Sequence, residues 1–181
     1  MVHGYIKTLR EQGLLSHIKN NPLTRENGII MVACGDCDSF DELYEFEKVL
    51  SSRQSGKKPR IHLLALDGGG LLVHPKSPLH GDCSASGVCR YQIKCSTAKK
   101  GIRDVILYGH DPCENAVANK MTLEDSFQWL AYGAAYTASM FSHLNVTCNF
   151  HYECDTDTGF KSEYFDYVGW LKTNQTRTAV A

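Results

Sequence analysis

The chain has 181 residues and a hydrophobic fraction of 43%, enough for one domain with a real core. Its 19 basic and 20 acidic residues nearly cancel, which argues against a nucleic-acid or membrane-surface partner. No run approaches the ~18 apolar residues of a spanning helix, and the first residues, MVHGYIKTLREQG, lack a signal core, so a cytoplasmic protein is expected.

In chain order, Tyr5, Ile6, Leu9, Leu14, Leu15 and Ile18 recur at roughly helical spacing. They predict an N-terminal helix, with Gly13 as its weak point, inside a helical arm over residues 1–27. Asn21-Pro22 marks the exit. GIIMVAC, 28–34, is a short continuous apolar run, as expected of a strand buried on both faces. SFDELYEFEKVLSS predicts a helix, with Ser39 and Glu42 spaced as a capping box. A polar loop follows; its Lys57, Lys58 and Arg60 form the one obvious basic cluster, which reads as solvated. IHLLALD predicts a second buried strand, ending in Gly68-Gly69-Gly70, and residues 74–86 look irregular.

Residues 87–100 predict a helix, DVILYG (104–109) a third buried strand, and 122–143 a long apolar helix carrying Phe127, Trp129 and Tyr132 as core or interface residues. NVTCNFHYEC and FKSEYFDYV predict a closing hairpin about a turn at 155–159, and the tail 173–181 is polar and expected to fray. Strands alternating with helices imply parallel pairing, since a crossover needs the length of a helix. The expected fold is therefore one α/β domain over 1–181, with a four-stranded parallel sheet, an antiparallel edge strand and helices on the faces.

ILYGHDPC raises the chemical question. An apolar run stops, and His110 and Cys113 follow with two residues between them. The first strand also stops at a cysteine, Cys34, with Asp36 just beyond. With strand order 2-1-3-4, strands 1 and 3 are neighbours at the switch point, where such sheets bind ligands at the carboxyl ends of their strands. Cys34, His110 and Cys113 would then converge from segments about 75 residues apart. Two thiolates and an imidazole suit Zn²⁺, and three protein ligands leave the open fourth position of a catalytic zinc.

Cys34-Gly35-Asp36 and Gly109-His110-Asp111-Pro112-Cys113, each after a buried strand, resemble the two signatures of the β-class carbonic anhydrases. The closing hairpin around Thr158-Gly159 is similar too, so the likeness spans roughly residues 28–168. The resemblance implies zinc on Cys34, His110 and Cys113, and hydration of CO2 to bicarbonate by zinc-bound hydroxide. It also implies a homodimer or a multiple of one. In the family an arginine two residues beyond the aspartate holds it off the metal, so that it can orient the zinc-bound water. Here that position is Asp38. Asp36 is thus the expected catalytic acceptor or, without a cation beside it, a fourth ligand that closes the site. Arg60, Arg90 and Arg103 are candidate substitutes for the missing cation.

Four other readings compete. A closed zinc site without catalysis keeps the ligands and loses the reaction. The same hydroxide chemistry can act on carbonyl sulfide or carbon disulfide. Cys34-Gly-Asp-Cys37 is also a C-x-x-C between a strand and a helix, the setting of a thioredoxin-like redox pair, although that leaves His110 and Cys113 unexplained. Asp36-x-Asp38 followed by Asp67 matches an aspartyl phosphatase more weakly, and Cys37 is a weaker choice than Cys34 as the ligand. Eight cysteines without a compact secreted framework read as reduced thiols, with Cys83, Cys89 and Cys95 buried or incidental. His62, His74, His80, His143 and His151 show no ligand spacing among themselves; His74 and His80 read as solvated loop residues or as proton shuttles. The Gly68–Gly70 run reads equally as a pocket wall, by close backbone approach, or as a plain turn.

Overall fold

The computed structural model describes residues 2–35, 37–80, 84–153 and 160–178. The chain runs α1 (Val2–Glu11), β1 (Leu15–His17), a 3-10 turn (Ile18–Asn20), β2 (Ile29–Ala33), α2 (Cys37–Ser55) and β3 (Ile61–Ala65). Two more 3-10 turns (Gly69–Leu72 and Pro78–His80) lead to α3 (Ala85–Lys100), β4 (Asp104–Asp111), α4 (Glu114–Ala118) and α5 (Leu123–Met140). β5 (Asn145–Glu153), β6 (Phe160–Phe165) and α6 (Tyr167–Thr178) complete it.

Two of the continuous apolar runs become inner strands, whereas IHLLALD, expected to be buried, forms β3 at the parallel edge of the sheet and is only half-buried. All five residues of β2 are buried, as are the first seven of β4, as parallel strands covered on both faces require. The six strands lie in the order β3-β2-β4-β5-β6-β1. β3, β2, β4 and β5 are parallel, while β6 runs antiparallel to β5 and β1 antiparallel to β6. On one face, Ile30, Val32, Val105, Leu107, Phe150 and Phe165 pack under α1, α3, α5 and α6 through Leu9, Ile93, Phe127, Leu130 and Trp170. The opposite face is smaller: Ile29, Met31, Ala33, Ile106 and Tyr108 meet Leu43 of α2 and Leu23.

Three expectations are corrected. The N-terminal arm is not helical throughout: α1 ends at Glu11, Gly13 takes φ +71°, and Leu15 pairs with Phe165. Left-handed Gly13 ends the helical course, and the chain continues extended with both Leu14 and Leu15 buried. The hairpin's second strand is therefore an inner strand, and the three-residue β1 is the antiparallel edge. The chain after the hairpin is helical past Thr173: β6 stops at Phe165 and α6 runs from Tyr167 to Thr178, with Trp170 edge-on to Phe165 and Tyr132. Separately, α2 starts at Cys37, so Ser39 lies within the helix rather than at its cap. The turn at 155–159 and Cys83 lie outside the described residues.

A buried polar network supports the smaller face. Arg25 and Glu47 form an ion pair with both side chains at 0% exposure. Tyr108 donates to Glu47 Oε1 at 2.5 Å, Asn149 Nδ2 to the Tyr108 hydroxyl at 2.8 Å, and Asn21 Nδ2 to Asn149 Oδ1 at 3.0 Å. The chain of bonds ties α2 to β4 and β5, and burial together with the Glu47 charge raises the Tyr108 hydroxyl well above the ordinary range, so it stays a donor. Glu47→Ala would leave the guanidinium buried without its counter-charge. We predict a loss of about 3–5 kcal/mol, measured by urea unfolding; a loss below about 1 kcal/mol would show that water or Gln54, whose Oε1 accepts from the Arg25 guanidinium, replaces the carboxylate.

Candidate metal centre

β2 and β4 pair in parallel, with Val32 beside Leu107. Their carboxyl ends therefore lie together, and Cys34, His110 and Cys113 are carried out at the same end of the sheet. The two sulfurs and a ring nitrogen of His110 all lie within 4.8 Å of one another, and the three residues are buried. Among the described residues this is the one group of three or more His, Cys, Asp or Glu side chains close enough to share an ion. Asp36 lies outside the described residues, and the side chains of Cys37 and Asp38 are likewise not described.

The donors are electrostatically prepared for a cation. Cys34 is lowered to about 4, because it accepts from the Cys113 thiol; burial opposes this, and His110 and the Gly68 N–H support it. Cys113 is pushed in the opposite direction by the same bond and by burial. Two soft sulfurs and one imidazole in a buried cluster fit zinc.

The triple glycine is a close-approach device. A Cβ on Gly69 would lie 2.4 Å from the Cys34 nitrogen and 2.7 Å from the Ala33 carbonyl carbon, and one on Gly70 would lie 2.9 Å from the Tyr108 oxygen. Gly68 and Gly69 have φ of +97° and +50°. The loop after β3 therefore presses onto the ends of β2 and β4, and the Gly68 N–H reaches Cys34 Sγ at 3.0 Å. The run is a wall of the site, and Gly133 of α5 packs against it from outside.

Other expected participants fall elsewhere. Arg60 and Arg103 directly precede β3 and β4, at the amino ends of those strands. Arg60 bonds the Lys100 carbonyl, and Arg90 of α3 donates to the Tyr136 hydroxyl. His74 is no solvated loop residue: its ring packs against Trp129, Tyr132 and Tyr136, and its carbonyl meets His80 Nε2 at 2.8 Å. Cys89 is buried in α3, which raises its thiol to about 11. The Asp67 carboxylate stands over Gly35, 3.5 Å from where a Cβ would lie.

His151 is the neighbour that sequence spacing missed. It sits opposite His110 in the β4–β5 register, is buried, and has Nδ1 2.7 Å from Ser162 Oγ. Burial, then the nearby His110, lowers it to about 4, so it is neutral at physiological pH. Aligning YGHD with NFHY as in-register parallel strands would have paired the two histidines.

No protein-family model matches the chain, and no curated protein matches it. Among solved structures, two single-substitution variants of the β-carbonic anhydrase CafD of the filamentous fungus Aspergillus fumigatus are similar. One is 13% identical with a TM-score of 0.46, the other 10% identical with a TM-score of 0.42; each match covers 83% of this chain and 98% of that one. At these values the likeness by itself assigns no chemistry.

Gly69→Ala would drive a methyl group into the Cys34 backbone at a left-handed position. We expect destabilisation of at least about 2 kcal/mol by urea unfolding; wild-type stability would mean that the loop does not press on β2 as described.

Proposed function

We propose that the protein holds a zinc ion on Cys34, His110 and Cys113 and catalyses the reversible hydration of CO2 to bicarbonate. The observation that carries this reading is the convergence of those three buried donors within 4.8 Å at the shared end of β2 and β4. The motifs Cys34-Gly-Asp36 and Gly109-His110-x-x-Cys113 support it. A zinc ion there would make a hydroxide nucleophile available at neutral pH, by lowering the pKa of water to about 7. The protein's part is to hold two anionic sulfurs in place, and among the described residues no fourth side chain joins the three donors. Gly68 stabilises Cys34 as an acceptor, and the glycine wall keeps bulk off the strand ends. In this reading Asp36 accepts the hydrogen bond that orients the attacking water.

One observation favours a second reading, in which Asp36 closes the site and catalysis is absent. Position 38 is Asp, and the three arginines that could replace the missing cation are placed elsewhere, Arg60 and Arg103 at the amino ends of their strands and Arg90 on Tyr136. Stopped-flow CO2 hydration on protein of known zinc content separates the two. The catalytic reading predicts hydration well above the buffer rate, abolished by chelation and by Cys113→Ala, which should no longer hold stoichiometric zinc. Stoichiometric zinc without hydration would support the closed site. Full zinc retention by Cys113→Ala would remove the ligand set from both readings.

Asp38→Arg tests the missing cation directly. If its absence limits the enzyme, the substitution should raise kcat by at least tenfold, equivalent to about 1.4 kcal/mol of barrier. An unchanged kcat in a zinc-loaded variant would show that Asp36 needs no arginine partner here.

A further inference from the structure

Asn115 lies two residues beyond Cys113, in the first turn of α4. Its Nδ2 donates to the Asp67 carbonyl at 3.0 Å. The opposite end of that same peptide unit is the Gly68 N–H, the group that donates to Cys34 Sγ at 3.0 Å. Asn119, one turn on, donates to Asn115 Oδ1 at 3.0 Å and to the Asn115 carbonyl at 2.9 Å. The Asn115 amide is thus fixed at both ends: its oxygen receives a donor, and its nitrogen points at Asp67. A peptide whose oxygen accepts a hydrogen bond becomes a stronger N–H donor, because linked bonds polarise one another.

The peptide needs such a clamp. Gly68 is left-handed at φ +97°, a conformation glycine adopts freely and equally leaves freely. The bonds also join the loop after β3 to the segment after β4, which carries Cys113, three residues beyond His110 in the strand. We propose that Asn115 is a positioning residue for the metal centre, holding the 67–68 peptide so that its N–H faces Cys34 Sγ and sets how much charge that sulfur gives the ion. The inference rests on the zinc reading above. Removing the clamp takes a donor from a buried thiolate. The metal-loaded state, in which Cys34 must be anionic, loses stabilisation, and the sulfur becomes more electron-rich.

Asn115→Leu removes the donor at similar size, and Asn115→Asp keeps the shape but can only accept. Zinc affinity by chelator competition should fall about 10–100-fold in both, the usual effect of losing an outer-shell partner. The sulfur-to-metal charge-transfer band of the cobalt(II)-loaded protein should move to longer wavelength. Exchange of the Gly68 amide hydrogen should accelerate, and Asn119→Ala should move all three readouts the same way by less. A purely structural role for Asn115 would lower the melting temperature and leave the charge-transfer band in place. Unchanged zinc affinity and an unmoved band in Asn115→Leu would overturn the proposal while leaving the zinc reading intact. Wild-type protein that binds neither zinc nor cobalt(II) would overturn both.

Discussion

The parallel pairing of β2 with β4 is the constraint on which the rest of the molecule depends. Cys34 and His110 are far apart in sequence, and nothing local brings them together. Hydrogen bonding of Ile29–Val32 to Asp104–Leu107 does so, and it aligns the two places where apolar strands give way to donor side chains. The crossover through α2, β3 and α3 supplies the length a parallel connection needs. It also delivers the glycine loop after β3 to the same end of the sheet. One pairing therefore fixes both the donors and the wall beside them.

The two faces of the sheet do different work around that end. The larger is a conventional apolar core in which Leu130 of α5 presses on Gly70 and Phe150 of β5 on Gly109, 2.7 Å and 2.9 Å from where a Cβ would lie. The smaller is held by the Arg25–Glu47–Tyr108–Asn149 chain of buried polar groups. Such a chain is directional where an apolar contact is not, so it fixes the placement of α2 relative to β4. Tyr108 belongs to this chain and lies two residues before His110. The strand that presents the imidazole is thus anchored from the side opposite the main core.

Much of this was legible in the sequence, for reasons that can be named. GIIMVAC and DVILYG announce buried parallel strands because they are apolar without alternation, and each ends abruptly in residues that carry chemistry. The grouping of Cys34, His110 and Cys113 could be read because strand ends, unlike strand middles, are where the switch point presents side chains to a ligand. What was not legible depends on register or on backbone conformation. His151 becomes a neighbour of His110 only through the β4–β5 register. Leu15–His17 is too short to show a period and became a strand only because β6 offers an unpaired edge. Gly68–Gly70 reads equally as a wall or a turn in the sequence, because the choice lies in ångströms of clearance that composition does not carry. Asn115 gave no signal at all, since its role runs through the main chain of another loop.

X-ray absorption at the zinc edge of the zinc-loaded protein tests the central claim most directly. The account predicts two sulfurs at about 2.3 Å and one imidazole nitrogen at about 2.0–2.1 Å, with one sulfur lost in Cys34→Ala. A first shell with no sulfur, or one unaltered by removing Cys34, would contradict it.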